Sequence, residues 1–156
     1  MKACFIGHRD IDITEQLRLS IKETVVSLIN KGVITFIFGS MSTFDNLSLE
    51  IVTLLKNEYP FIKRVYVRSS YRHINKSYEE YLLQSYEETY FPVKLENAGK
   101  CSYLERNYEM IDVSNFCIFY YDENYIPQSR HKSGTKLAYN YAIRKRKDII
   151  NLFNQS

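Results

Sequence analysis

The sequence has no tryptophan, and in 156 residues it has only five glycines, three prolines and three cysteines. Cys4, Cys101 and Cys117 are odd in number and widely spaced, which argues against a disulfide framework and against a zinc site. We therefore expect a reduced, cytoplasmic setting, with no bound metal and no cofactor. No apolar run approaches the ~20 residues that a membrane-spanning helix needs, so we expect no membrane association.

A strong charge of either sign is also missing. The formal net charge is +3, with 25% charged and 45% apolar residues, which are ordinary values for a globular protein. Dedicated nucleic-acid binders are usually more basic, so nucleic acid is a possible but less favoured partner. The length fits one domain of ordinary size, and we predict a single domain over residues 1–156.

Strand-like and helix-like patterns alternate along the whole chain. Short apolar runs predict strands at residues 3–7, 33–38, 61–67, 90–95, 115–121 and 149–153. Helical spacing predicts helices at about residues 14–32, 43–57, 78–86, 100–113 and 134–147. Thr14 and Gly32 are the expected caps of the first helix. Pro92 places its strand at an edge of the sheet, and Arg64 and Arg68 are expected to point outward from the third strand.

This alternation predicts an α/β protein: a single Rossmann-like, doubly wound, mostly parallel sheet with helices on both faces. The apolar and aromatic run in residues 115–121 is too unbroken for a strand with one wet face, and it favours a strand covered on both faces. In such sheets ligands bind at the carboxyl ends of the strands, where a helix N-terminus can receive a phosphate.

Small or polar residues follow three of the predicted strands. Gly7, His8 and Arg9 follow the first strand, Gly39, Ser40 and Met41 follow the second, and Ser133, Gly134 and Thr135 open the helix after the fifth. We expect all nine to line a ligand site, with glycines and hydroxyls at the helix N-termini facing a phosphate. The alternatives are plain strand-to-helix turns with hydroxyl capping and, at the first strand, a polar pair at the strand end.

Three further residues are site candidates. Asp45, near the start of the predicted second helix, could accept a hydrogen bond from a ribose hydroxyl or simply cap its helix. Arg106, with Asn107 beside it, could bind a ligand phosphate or ribose; the alternative is a surface charge paired with a neighbouring glutamate. His73 and His131 lie in polar loops, and no role is assigned to them.

Four motifs occur in a fixed order: G-H-R at residues 7–9, G-S-M-S-T-F-D at 39–45, R-N-Y-E-M-I-D at 106–112 and S-G-T at 133–135. This order resembles the SLOG superfamily, which joins the DNA-processing protein DprA (Smf) with the cytokinin-activating LOG enzymes. Its closest branch is the small bacterial YpsA-like group, and the similarity covers almost the whole chain. The resemblance implies a Rossmann-like domain that binds a nucleotide or nucleotide-like ligand in a bacterial or phage protein.

The LOG enzymes hydrolyse the N-glycosidic bond of nucleoside monophosphates, using an arginine on the helix before the last motif and a glutamate just after G-G-x-G-T. Arg106 resembles that arginine, but residues 136–138 are lysine, leucine and alanine, and no acid takes the place of the glutamate. Glycosidic cleavage needs a carboxylate to stabilise its oxocarbenium-like transition state. The resemblance therefore favours a protein that is not an enzyme. If it is one, Arg106 and Asp45 are the expected catalytic residues, with Asp112 or Glu109 as other sources of an acid.

Three functions follow from these patterns. The first is a SLOG-type sensor or carrier that holds a nucleotide or nucleotide-derived ligand. The second is a LOG-like nucleotide N-glycosidase, and the third is a DNA-processing accessory protein. We also expect a homo-oligomer, because the tyrosine-rich middle of the chain offers apolar surface for self-association.

Overall fold

The computed structural model describes residues 1–39, 42–127 and 133–153. The strands in these ranges are β1 (Lys2–Gly7), β2 (Thr35–Phe38), β3 (Lys63–Val67), β4 (Glu88–Tyr90), β5 (Phe116–Tyr120) and β6 (Asp148–Asn151). The α-helices are α1 (Glu15–Asn30), α2 (Thr43–Leu55), α3 (Lys76–Leu82), α4 (Ser102–Asp112) and α5 (Gly134–Arg144). Two short 3-10 turns, Val93–Leu95 and Gly99–Cys101, precede α4.

The described strands form one parallel sheet in the order β4-β3-β2-β1-β5-β6. The chain moves outward from β1 to β4, and α4 then carries it back to β5 on the other side of β1. This reversal places the topological switch point of the sheet between β1 and β5. The predicted doubly wound, parallel α/β architecture is confirmed.

Alternate residues of each strand point to opposite faces of the sheet, and each face is covered by different helices. Phe5 belongs to the core against α1 and α2, where its ring stacks on that of Phe38 with the centroids 5.0 Å apart. Cys4 belongs to the opposite core, with Met110 of α4 and with α5. The three central residues of β5 are buried, as its unbroken apolar run predicted.

The first helix begins and ends as its cap residues predicted. The Oγ1 atom of Thr14 accepts a hydrogen bond from the Leu17 N–H at 3.0 Å, which satisfies one of the unpaired donors of the first turn. Gly32 has a φ of +100°, the left-handed conformation that glycine tolerates just beyond a helix. The helix itself stops at Asn30.

The prediction of a strand at residues 90–95 is wrong in position, although β4 does lie at an edge of the sheet. β4 covers only Glu88–Tyr90, and Val93–Leu95 forms a 3-10 turn. Pro92 has a φ of −61° and no N–H to give to a ladder, so the chain leaves the sheet before it and turns after it. The third helix is also displaced, since it covers Lys76–Leu82 and not residues 78–86.

The expectation that Arg64 and Arg68 point outward is wrong as well. Arg64 forms a 2.9 Å ion pair with Glu87, and only 12% of its side chain is exposed. Arg68 is 9% exposed, and its Nη1 donates to the backbone carbonyl of Tyr71 at 2.8 Å. Both guanidinium groups find partners within the protein, which the alternating pattern of β3 could not reveal.

The described cysteines are free thiols, and Cys4 and Cys117 are buried side by side on β1 and β5. A hydrogen bond with Cys117, together with burial, raises the pKa of Cys4, so this thiol stays protonated. Within the described ranges, no group of histidine, cysteine and acidic side chains could hold a metal ion. No described helix is both long and apolar enough to cross a bilayer.

Candidate functional site

The carboxyl ends of β2, β1 and β5 are neighbours in the sheet, so the residues that follow them share one edge. The helices that follow these strands, α2, α1 and α5, begin at this edge. The His8 N–H donates to the Tyr120 carbonyl at 3.3 Å, and the Thr43 N–H donates to the Arg9 carbonyl at 2.8 Å. These bonds tie the end of β1 to β5 and to α2, and they bring the described residues of the predicted segments to one place.

Some residues of the sequence analysis lie outside the described ranges. They are Ser40 and Met41, which we predicted to bind the ligand, and His131, to which we assigned no role. His73 is exposed in the connection between β3 and α3.

Gly7 makes room for a side chain of α2. A Cβ at this position would lie closer than 3.0 Å to three carbons of the Phe44 side chain, which is fully buried. The missing side chain of Gly7 therefore serves the packing of α2 on the sheet. A contact of Gly7 with a ligand remains a prediction.

Gly39 makes room for Arg106 at the end of β2. A Cβ on Gly39 would lie 2.5 Å from Cδ of Arg106 and 2.5 Å from Sδ of Met110. The Arg106 side chain therefore crosses the backbone of Gly39, and its Nη1 donates to the Gly39 carbonyl. Its Nε donates to Oδ1 of Asn107 at 3.1 Å. Glycine is required here by a neighbouring side chain, because any larger residue would collide with Arg106.

Arg106 is 3% exposed, although it belongs to a helix that reads as amphipathic and polar. The alternative that it is a surface charge paired with a glutamate is wrong. Burial lowers the pKa of Arg106, while the negative charge of Asp45 opposes that shift. In the part of the chain that the structure describes, Arg106 forms no ion pair within 4.0 Å. A buried guanidinium thus stands at the strand ends with its charge incompletely balanced.

Asp45 is buried in the first turn of α2 and faces the same place. Its Oδ2 accepts a hydrogen bond from the Gly39 N–H at 3.3 Å, and its own N–H donates to Oγ of Ser42 at 3.0 Å. Ser42 is therefore the N-cap of α2. Because an acid already occupies the first turn of α2, this helix N-terminus is a poor receptor for a phosphate.

His8 is 2% exposed and held in one orientation. Its Nε2 accepts a hydrogen bond from the Asp122 N–H at 2.9 Å, and its ring stacks on Tyr125 with the centroids 3.9 Å apart. Burial lowers the pKa of His8, with Asp122 opposing the shift, so the ring is neutral near pH 7. The proton of the neutral ring must then sit on Nδ1, a buried atom with no hydrogen-bond partner among the described residues. The described residues therefore leave the donor at Nδ1 unused.

The N-terminus of α5 differs from that of α2. Ser133 caps the helix, with its Oγ accepting from the Lys136 N–H at 3.3 Å, and no acidic residue lies in the first turn. A Cβ on Gly134 would meet no atom of the described residues within 4 Å, whereas Thr135 is buried. This end of α5 thus has no acid and carries Lys136 in its first turn, which suits an anionic group. Arg9, which follows β1, exposes its side chain.

The acids that were considered as substitutes for the missing glutamate lie elsewhere. Asp112 lies at the far end of α4, and its carboxylate accepts a hydrogen bond from the Tyr141 hydroxyl at 2.8 Å. Its backbone carbonyl accepts a hydrogen bond from Nζ of Lys147. Lys147 precedes β6, so Asp112 lies at the opposite edge of the sheet. Glu109 pairs with Lys94 at 3.3 Å and lies near the hydroxyl of Tyr90. Neither carboxylate reaches the ends of β1 and β5.

Sequence reasoning missed one buried cation at this edge. Arg68 is the first residue after β3, and its buried Nε has no partner among the described residues. The rule that selected the other candidates, a polar residue directly after a parallel strand, would also have selected Arg68. The alternating pattern of β3 instead led to the prediction that Arg68 points outward.

Two surface depressions lie away from this edge. One, of about 480 Å³, lies between α1 and Ile150, and the other, of about 670 Å³, runs from α1 to Tyr59. We place the candidate site at the strand ends and not in these depressions, because the buried charged side chains are at the strand ends.

A parallel, doubly wound sheet with buried polar residues at the carboxyl end of its central strands defines a Rossmann-like protein. The family model of the YspA SLOG family matches residues 6–154. The chain therefore belongs to this family, as its four motifs predicted, and it is a SLOG-type protein of a generally nucleotide-related class. No curated protein matches the chain.

Proposed function

We propose that the protein binds a nucleotide or nucleotide-derived ligand at the carboxyl ends of β5, β1 and β2, and that it acts as a sensor or carrier. The observation that carries the proposal is Arg106, a buried guanidinium at the strand ends that forms no ion pair in the described part of the chain. Asp45 opposes the effect of burial on Arg106 without forming an ion pair with it, and a buried charge that is not directly paired is costly. An anionic or strongly accepting ligand would offset that cost.

The phosphate of the ligand is best placed at the N-terminus of α5. Its first turn holds no acid, and the position of Gly134 is open. From there a nucleoside would pass the end of β1, where Nδ1 of His8 can donate to it. It would then reach β2, where Arg106 and Asp45 offer a donor and an acceptor for a ribose hydroxyl or a base edge. Neighbouring strands are about 4.8 Å apart, so the path from β5 to β2 is roughly 10 Å, which suits one nucleoside.

Binding without cleavage is favoured by the acids at this edge. Residues 136–138 supply no carboxylate, and Asp45 is engaged by the Gly39 N–H in the first turn of α2. A carboxylate that is held by backbone donors anchors the site, whereas glycoside cleavage needs one positioned at the reacting carbon. The LOG-like glycosidase is therefore the second candidate, and Asp45 would be its acid.

The binding experiment compares the four nucleoside 5′-monophosphates by calorimetry, together with native mass spectrometry of the purified protein for a co-purified nucleotide. Arg106→Ala should weaken binding at least about tenfold, since a hydrogen bond to a charged group contributes about 1.5–3 kcal/mol. Gly134→Glu should abolish binding through repulsion of the phosphate, and it should leave the fold intact because the position is open.

Two control variants are matched to these changes. Arg144→Ala removes an exposed arginine from the end of α5, and Asn57→Glu adds an exposed negative charge beyond α2. Both should bind as the natural protein does. Unchanged affinity in Arg106→Ala and in Gly134→Glu would show that the site is elsewhere. Release of free base from a bound monophosphate would establish the glycosidase in place of the sensor.

A DNA-processing role predicts something different. Affinity for DNA would fall steeply with added salt, because counter-ions are released from the phosphates on binding. The net charge of +3 makes this the least favoured function. A protein that binds nucleotides but shows no DNA affinity at low salt fits the proposal. The predicted homo-oligomer is checked by the mass of the same preparation in native mass spectrometry.

A further inference from the structure

A second buried arginine lies at the same edge of the sheet, one strand beyond Arg106. Arg68 directly follows β3, which pairs with β2, and it is 9% exposed. Its backbone N–H donates to the Tyr90 carbonyl at 2.8 Å, which fixes the position of the residue between β3 and β4. Two guanidinium groups are therefore buried at neighbouring strand ends.

Tyr66 lies on β3 between the two strand ends where the arginines stand. Its ring stacks on that of Tyr86, with the centroids 5.1 Å apart. Burial raises the pKa of Tyr66, and among the charges that act on it are those of Arg106, Arg68 and Asp45. The two arginines and Asp45 therefore lie close enough to Tyr66 for their charges to act on its phenol, and we call these four residues the cluster.

The cluster carries more positive than negative charge. It holds two guanidinium groups and one carboxylate, and neither Arg68 nor Arg106 forms an ion pair within 4.0 Å in residues 1–39, 42–127 and 133–153. The Nε of Arg68 is also buried without a hydrogen-bond partner in those ranges. Buried polar atoms are nearly always paired, so an unpaired guanidinium N–H points to a group that binds there.

Arg68 also forms a hydrogen bond within the protein, and this bond offers another explanation for the burial of its side chain. Its Nη1 donates to the carbonyl of Tyr71, a residue with a φ of +62°, and this bond helps to hold the connection after β3. A neutral carbonyl does not balance the charge of the guanidinium, however, and it leaves Nε unused. The structural contact therefore explains the position of Arg68 but not its unbalanced charge.

We propose that Arg68 binds a second anionic group at the far end of the ligand, one strand beyond the place where Arg106 contacts the nucleoside. The first phosphate lies at α5, beside β5, and the arginines stand at the ends of β2 and β3. With strands about 4.8 Å apart, the two anionic groups are roughly 10–14 Å from one another, too far for one phosphate to satisfy both. The ligand class is a nucleotide-derived molecule with an anionic group at each end. The inference rests on the proposed function for the first of these groups.

Matched pairs of probes test this. They are 5′-phosphorylated dinucleotides with and without a 3′-terminal phosphate, for each of the four bases, because the terminal phosphates of a dinucleotide can span the distance between the two groups. In at least one pair the added phosphate should increase affinity about ten- to a hundredfold, the range expected for a charged hydrogen bond. Arg68→Gln should remove that increase and leave the affinity of the partner probe unchanged, and Arg68→Lys should retain part of it.

Arg72→Gln is the matched control, because it removes an arginine from the same connection whose side chain is 59% exposed. It should leave the increase intact. The inference is overturned if the added phosphate changes affinity in no pair, or if the increase survives in Arg68→Gln. If Arg68→Gln weakens the binding of both members of a pair equally and lowers the Tm, Arg68 only holds the connection after β3. That result would also overturn the inference. If no probe binds the natural protein, the proposed function fails as well.

Discussion

Replacing Gly39 by alanine should displace Arg106 from the end of β2. The added Cβ would lie 2.5 Å from Cδ of Arg106, 2.9 Å from its Nε and 2.5 Å from Sδ of Met110. Atoms at that distance must move apart, and overpacking of this kind typically costs about 1–3 kcal/mol. For a chain of this length that cost corresponds to a fall in Tm of about 2 to 12 °C.

A double-mutant cycle measures how much of the cost comes from Arg106. In the Arg106→Ala background two of the three close atoms are gone, and only the sulfur of Met110 still opposes the new methyl group. Gly39→Ala should therefore be less destabilising there, with an interaction free energy of about 1 kcal/mol or more. The free energies are measured by urea unfolding of the four proteins at one pH.

Gly134→Ala is the matched control, since a Cβ at that position meets no atom of the described residues within 4 Å. It should change stability little or raise it by up to about 1 kcal/mol, because alanine loses less backbone entropy than glycine in a helix. If Gly39→Ala costs the same in both backgrounds, within about 0.5 kcal/mol, the Arg106 side chain does not cross Gly39. Arg106 would then not belong to the candidate site.

Two further predictions concern the pH dependence of stability. Burial lowers the pKa of His8, so His8 takes up a proton at a higher pH in the unfolded chain than in the folded one. The contribution of neutral His8 to the free energy of unfolding is therefore full above about pH 6.5 and is lost as the pH falls. Urea unfolding between pH 7 and pH 5 should show this loss, and His8→Gln, which cannot titrate, should show a smaller one. Burial alone would raise the pKa of Glu87, but hydrogen bonds from Arg64 and Lys56 outweigh it and lower the pKa from 4.5 to about 2. Ionised Glu87 should contribute roughly 1 kcal/mol to the free energy of unfolding after solvent screening, and this contribution should be present above pH 4.5 and decline toward pH 2. Glu87→Gln should lack that decline. Equal dependence of the unfolding free energy on pH in the natural protein and in Glu87→Gln would contradict the prediction.

Much of the architecture could be predicted from hydrophobic patterns alone. The runs in β1, β2 and β5 are long, apolar and bounded by helical segments, so both their type and their parallel arrangement follow from the sequence. β4 could not be placed in this way. Three residues at an edge, next to Pro92, carry too few buried side chains to produce a pattern.

The candidate site was predicted in outline but not in its contacts. Strand ends identify His8, Gly39 and the start of α5 because parallel strands bring their carboxyl ends to one edge. The burial of Arg106 was not predictable, because α4 has enough polar residues to place an arginine on its surface. Its inward position depends on Gly39, which is 67 residues away along the chain. The burial of Arg68 depends in the same way on its contacts with Tyr71 and β4.

By itself the sequence determined the alternation of strands and helices, the family, and the edge of the sheet where polar residues collect. These properties depend on local spacing and on the order of motifs, which are present in the chain before it folds. Only the tertiary structure decided which cations are buried there and how they are held. Arg106 and Arg68 come from helix and strand segments far apart in sequence, and their burial without ion pairs in the described ranges is a property of packing. That unbalanced charge is the physical reason to expect an anionic ligand at this edge.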